Sequence, residues 1–270
     1  QVAETRLMRR AVTVAAVLLA GPSPAADYPD THEYRLSNDM KLLVREDHRA
    51  PVATVMIWYG VGSADEPPGR TGLAHLLEHM MFKNTRHLQP GEFSTLVSRF
   101  GGTSNAFTSY DYTAYYQEYE VSRLPLALEL EAERMRNLEI KPEEFQRERN
   151  VVLEERSQRV EDNPDALAGE KFSAITRPGT GYASPVIGWS RDLKQLTPAM
   201  ARDWYERFYH PGNARLVVAG DVDPDKVRTL AERFFGDIPA RETNAGLARG
   251  ERPVPGERRL KLELPVRVPN

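Results

Sequence analysis

His75 and His79 stand four residues apart in the stretch GRTGLAHLLEHMMFKNT, residues 69–85. On a helix that spacing puts both imidazoles on one face, with Cβ atoms about 5–6 Å apart. Zinc binds imidazole nitrogen at about 2.0–2.1 Å, so two rings placed this way can close on one ion. Glu78 sits beside His79 and one turn after His75, where its carboxylate can hold a water against that ion. Leu76, Leu77, Met80 and Met81 make another side of the helix apolar and core-facing. The bland alternative is a solvated face on an ordinary amphipathic helix, since isolated motif strings also arise by chance.

A catalytic zinc site needs a third protein ligand and one open position. The chain has no cysteine, and its remaining four histidines show no second cluster, so carboxylates are the natural supply. The best source is RERNVVLEERSQR, residues 147–159. Glu148, Val152, Glu155 and Arg159 share one helical face by steps of four, three and four. Glu154 falls with Arg147, Asn150 and Gln158 on a face that reads as solvated. Periodicity therefore favours Glu155 as the third ligand, with Glu148 as its neighbour two turns earlier.

These residues need elements to carry them. THEYRLSNDMKLLVRED reads as a hairpin turning at Ser37-Asn38-Asp39, and PVATVMIWYGVGS (51–63) as a strongly apolar strand. The loop ADEPPGR leads into the histidine helix, and PGEFSTLVSRF forms a second helix that stops at Gly101-Gly102. TSNAFTSYDYTAYYQEYEV (103–121) alternates and is rich in Thr and Tyr, as a strand pair should be. From Leu124 to about Ile175 the pattern is helical, broken at Lys141-Pro142 and Asn163-Pro164. TPAMARDWYERFY is a helix, NARLVVAGDV a buried strand, and DPDKVRTLAERFFGDI a closing amphipathic helix. The fold class is α+β: a mixed or antiparallel sheet covered by helices. Residues 30–239 form the main domain, 240–257 a polar linker with Gly and Pro, and RRLKLELPVRV (258–268) the first strand of a second domain. A strand with nothing after it to pair with suggests the front part of something longer.

With 270 residues and 40% hydrophobic content the chain can bury a proper core. Its 36 Lys+Arg and 39 Asp+Glu are interspersed and give no basic patch for nucleic acid. Met8-Arg9-Arg10, the eleven-residue apolar run AVTVAAVLLAG and the small residues PSPAAD have the order of an export signal ending near Ala26, with residues 1–7 as an upstream extension. Eleven apolar residues are too few for a bilayer span, which takes about 20. Without cysteine there is neither a disulfide nor a lipid-modified Cys at the cleavage site. An exported, cysteine-free protein fits the periplasm.

HLLEH, with Glu155 placed 76 positions after His79, resembles the inverted zinc metallopeptidases of the insulinase and mitochondrial-processing-peptidase group (pitrilysin-type, M16). The blocks GSADEPPGRTGLAHLLEHMMFKNT, GGTSNAFTSYDYTAYY, ERNVVLEE and HPGNARLVVAGDV follow that group's order across roughly residues 32–240. The resemblance implies one Zn2+ held by His75, His79 and Glu155, Glu78 as general base, and Glu148 as a supporting glutamate. It implies a clam-shell enzyme of two similar domains, of which this chain carries the N-terminal catalytic one. The second domain, in the same chain or a partner subunit, supplies an Arg and a Tyr near the substrate carbonyl. It also implies that the strand around Ser104–Ser109 is an open edge pairing with an extended peptide, with Asn105, Ala106 and Phe107 in contact with substrate. Tyr110, Tyr112, Tyr115 and Tyr116 are assigned to core and hairpin packing.

The leading expectation is an exported zinc endopeptidase, or its catalytic half, cutting peptides or unfolded segments. Two rivals share the fold: a non-catalytic assembly subunit and a peptide-binding module that grips strands without cutting them. The complete metal set argues against the former.

Overall fold

The computed structural model describes residues 30–241 and 256–263. Its centre is a six-stranded mixed sheet of spatial order β1-β2-β6-β3-β5-β4. The strands are β1 (Thr31–Arg35), β2 (Lys41–Glu46), β3 (Val52–Tyr59), β4 (Thr103–Thr108), β5 (Thr113–Glu120) and β6 (Ala214–Gly220). Only β2 and β6 run parallel; every other neighbouring pair is antiparallel. The helices are α1 (Leu73–Met80), α2 (Glu92–Arg99), α3 (Leu124–Asn137), α4 (Pro142–Arg156), α5 (Pro164–Thr176), the single turn α6 (Ser190–Leu193), α7 (Pro198–Phe208) and α8 (Pro224–Phe235).

Period-two alternation decides which face of the sheet is covered. In β3, Ala53, Val55, Ile57 and Tyr59 are buried, while Thr54, Met56 and Trp58 between them are only half-buried. Leu42 and Val44 of β2, Leu216 and Val218 of β6, and Tyr115 and Tyr119 of β5 continue the buried face. Against it pack α3, on β3 and β5, and α8, on β2, while α1 lies against β4, α4 and α7. The result is an α+β fold of two layers with the core between them. The last strand in sequence, β6, inserts between β2 and β3, which locks the two ends of the described domain together.

A buried ion pair sits in this core. Glu131 and Arg134 of α3 are both excluded from solvent, and Arg134 Nε donates to Glu131 Oε2 at 2.8 Å. Gln117 Nε2 donates to Glu131 Oε1 at 2.6 Å. The guanidinium lies 4.5 Å from the ring centre of Tyr115 and 4.9 Å from that of Phe93. Both oxygens of Glu131 are thus engaged, whereas Nη1 of Arg134 is buried without a hydrogen-bond partner among the described residues and the guanidinium is packed mainly by aromatic rings.

Most expected elements appear, with three differences. After α4 the helix does not simply stop before Asn163: it widens into a π-turn over Ser157–Glu161. The turn α6 was not expected from the sequence. Residues 258–263 are exposed and hold no strand, and the rest of that expected strand, 264–270, lies outside the described residues. So do the export-like stretch 1–26 and nearly all of the expected linker, 242–255.

Candidate metal centre

The histidine helix α1 is only eight residues long, and burial holds it in place. Leu73, Ala74, Leu76, Leu77 and Met80 are buried, which turns His75, Glu78 and His79 onto the opposite, half-exposed face. Gly72 precedes the helix at φ 86° and brings no capping side chain. Glu66 caps it from six residues upstream, accepting from Gly72 N–H at 2.8 Å and Ala74 N–H at 2.7 Å. Its oxygens satisfy orphan amides of the first turn, although burial outweighs these bonds and pushes the carboxyl well above its usual range. Gly72 is further pressed against Gly188: a Cβ on Gly188 would lie 2.5 Å from Gly72 Cα, so this crossing requires glycine.

The third element is α4. Val152 is buried and Glu154 is exposed, hydrogen-bonding Gln158, while Glu155 points toward α1. Arg156 fixes this stretch of backbone from the other side. Its guanidinium makes a two-pronged contact with Glu170 at 2.8 and 3.0 Å, and donates to Gly188 O at 2.7 Å. The choice of Glu155 over Glu154 by helical periodicity matches this placement.

His75, His79 and Glu155 form the only group of three potential ligands among the described residues, with donor atoms all within 4.8 Å of one another. Glu155 Oε2 lies 3.5 Å from His79 Nε2 and 3.8 Å from His75 Nε2. Bonds of about 2.0–2.2 Å to a tetrahedral zinc imply ligand–ligand edges of about 3.3–3.6 Å. The donor set therefore fits zinc in atom type; the edge to His79 falls in that range and the edge to His75 lies slightly beyond it, so a small closing of the His75 side would complete the fit. Its members are mostly shielded, with side-chain exposures of 12%, 22% and 17% for His75, His79 and Glu155.

Glu148 lies behind His79 and not among the three. Its Oε2 is 3.3 Å from His79 Nδ1, and its Oε1 is 2.7 Å from Lys83 Nζ. A carboxylate on Nδ1 fixes the ring and leaves Nε2 to face the other ligands. His75 lacks this support: its Nδ1 is buried without a hydrogen-bond partner among the described residues.

The electrostatics follow from these contacts. Burial disfavours a charged His79, but hydrogen bonds to Glu148 and Glu155 outweigh it and hold the ring up at about 9. Burial, then the charge of His79, pushes His75 below the usual imidazole range. The hydrogen bond from His79 holds Glu155 low against burial. For Glu148, burial pushes upward but is overcome by hydrogen bonds from His79 and Lys83, so the carboxyl titrates low. Glu78 is different: burial raises it, and a hydrogen bond from Thr108 only partly opposes that. The two imidazoles are thus set apart: His79 favours its charged form and His75 its neutral one.

A cavity of about 630 Å3 opens beside the three, lined also by Glu78 and by Asn105, Ala106, Phe107 and Thr108 of β4. Among the described residues β4 pairs only with β5 and forms one edge of the sheet, the kind of edge that can accept a further strand. The far wall carries Arg159, Val160, Val186 and Ile187. Tyr115 is fully buried and meets Tyr59 and Tyr209 edge-on, while Tyr110, Tyr112 and Tyr116 are half-buried.

Sequence reasoning missed Thr108, which donates from Oγ1 to Glu78 Oε2 at 2.5 Å, and Lys83, the partner of Glu148. Lys83 lies three residues beyond the end of α1, so helical spacing gave no signal for it. Thr108 had no local signal, being 30 residues from Glu78 in the chain.

The model of the family described as "Insulinase (Peptidase family M16)" matches residues 41–189, and that of "Peptidase M16 inactive domain" matches residues 195–270. The second match begins before α7, β6 and α8, which here belong to the same sheet-and-helix body as the first. The zinc protease PqqE of Helicobacter pylori is 36% identical over 228 residues, covering 84% of this chain and 51% of the relative. A protease from Helicobacter pylori of known crystal structure superposes with TM-score 0.79 at 34% identity, covering 82% of this chain and 54% of that one. The first half of the periplasmic protease PqqL from Escherichia coli shares the fold, with TM-score 0.74 at 23% identity, over 83% of this chain and 49% of that one. The chain spans about half the length of the curated relatives it matches.

Proposed function

This chain belongs to peptidase family M16, the insulinase family, and from that premise we propose that it is the catalytic half of an exported zinc-dependent endopeptidase. The observation that carries the reading is the approach of Glu155 Oε2 to both imidazole Nε2 atoms, at 3.5 and 3.8 Å, beside a cavity bordered by an open sheet edge. His75, His79 and Glu155 hold one Zn2+. When bound, zinc supplies a Lewis acid for the scissile carbonyl and makes water acidic enough to attack at neutral pH.

The chain's own residues do the rest. Glu78 takes a proton from the attacking water on its carboxylate and returns it to the leaving amine, a role helped by the burial that raises its proton affinity. Glu148 orients His79 through Nδ1. Asn105, Ala106 and Phe107 of β4 receive an extended peptide or unfolded segment by main-chain pairing. A second homologous domain, in the same chain or a partner subunit, completes the enzyme by closing over the cavity. Without its donors near the substrate carbonyl, this half binds zinc but cleaves slowly, since such donors contribute roughly 3–4 kcal/mol each. No helix among the described residues is long and apolar enough to cross a membrane. Export to the periplasm rests on the basic, apolar and small-residue order of Met8 to Ala26.

The test pairs metal analysis with cleavage of a quenched peptide. Glu78→Gln should retain zinc and lose cleavage; cleavage that persists in this variant contradicts the role of Glu78. A chain that takes up no zinc contradicts the whole reading.

A further inference from the structure

The two oxygens of Glu155 have different partners. Oε2 faces His75 and His79, while Oε1 is held at 2.8 Å by Nη1 of Arg159, one helical turn further on. Arg159 belongs to the π-turn Ser157–Glu161 that begins two residues after Glu155, and with Val160 it lines the cavity. Its side chain is 73% exposed, so it contributes little to the core. Such π-turns are rare and concentrate at functional sites.

We propose that Arg159 is a positioning residue for the metal centre: by engaging Oε1 it leaves Oε2 alone to face the two imidazoles. The proposal rests on Glu155 being a metal ligand. A carboxylate with both oxygens free can rotate about its terminal bond and offer either oxygen, or both; a guanidinium on one of them removes that freedom. The backbone below it is already fixed by the contacts of Arg156 with Glu170 and Gly188. Charge and positioning make opposite predictions here. A guanidinium repels a bound cation, so loss of its charge alone would tighten zinc binding. Loss of positioning weakens it.

The test is zinc affinity of the full 270-residue chain, measured by competition with a chromophoric chelator at fixed pH. The variants are Arg159→Met, Arg159→Lys, Glu155→Gln and the double variant, each checked for unchanged melting in the absence of zinc. Arg159→Met should weaken binding by about 10–100-fold, the usual effect of losing a partner of a ligand. Arg159→Lys should recover part of this, and Arg159→Met should cost nothing further in the Glu155→Gln background. Cobalt(II)-loaded Arg159→Met should also show an altered visible spectrum, reporting a changed ligand arrangement. Binding by Arg159→Met as tight as or tighter than the unaltered chain, or an equal loss in the Glu155→Gln background, overturns the proposal. If Glu155→Gln binds zinc normally, the ligand assignment itself fails and the proposal falls with it. If Glu155→Gln is weak and Arg159→Met is not, only the role of Arg159 falls.

Discussion

Thr108, the last residue of the edge strand β4, donates from Oγ1 to Oε2 of Glu78 on α1 at 2.5 Å. One hydrogen bond thus joins the strand that borders the cavity to the carboxylate assigned as base.

Thr108→Val removes that donor at nearly constant volume. It should lower kcat for peptide cleavage by up to about 100-fold, the scale of a small misplacement of a reacting group. Zinc content should not change, and Thr108→Ser should retain most of the activity. Undiminished kcat in Thr108→Val would show that Glu78 is oriented by something else.

The metal-free chain should have its stability from this site peak near pH 6–7. His79 is raised from 6.5 to about 9, so its contribution is fully present below 6.5 and is lost as pH rises through 9. His75 is held low by burial, so below 6.5 the unfolded chain takes up the proton more readily and stability falls. Melting curves of the metal-free chain across pH 5–10 measure this. His79→Gln should flatten the alkaline limb; an unchanged limb would place the titration elsewhere. Zinc, which needs a neutral imidazole, should bind more tightly as pH rises toward 9.

Gly188→Ala tests the backbone crossing behind α1. Its φ is +85°, and the added Cβ would meet Thr71 O at 2.5 Å as well as Gly72 Cα. Overpacking and a disfavoured φ together should cost about 1–3 kcal/mol, read as a lower melting temperature. Because Gly188 O also holds Arg156, zinc affinity should fall in parallel. A stable variant with weakened zinc binding would separate the two effects.

Arg134→Met should be among the most damaging single substitutions in the core. It leaves Glu131 as a buried charge with only Gln117 as partner, a loss of about 3–5 kcal/mol in urea unfolding. Adding Glu131→Gln should recover part of that, since removing both charges also removes the desolvation cost. No recovery in the double variant would mean that the Arg134 stack on Tyr115 and Phe93 matters more than the pair.

Helical period alone placed the two histidines together and put Glu155 rather than Glu154 on the inward face of α4. Those choices depend on 3.6 residues per turn and on Leu, Val and Met marking the buried side, both written locally in the chain. The edge position of β4 was available from resemblance and not from propensity, because Thr and Tyr favour internal strands as readily as edges. The export-like leader lies outside the described residues.

What only the folded chain decided were contacts between segments far apart in sequence. Glu66 capping α1, Thr108 on Glu78, Glu148 bridging His79 and Lys83, and the Gly72–Gly188 crossing all depend on how elements dock. The π-turn after Glu155 was equally illegible, since no residue type marks the switch in hydrogen bonding and the anchoring of Arg156 lies on a different helix. Local spacing determined which side chains could share a face. Packing of α1 and α4 under a common sheet brought Glu155 Oε2 within 3.5–3.8 Å of the two imidazoles. Periodicity fixes direction about a helix axis, whereas distance between helices is set by the side chains buried between them.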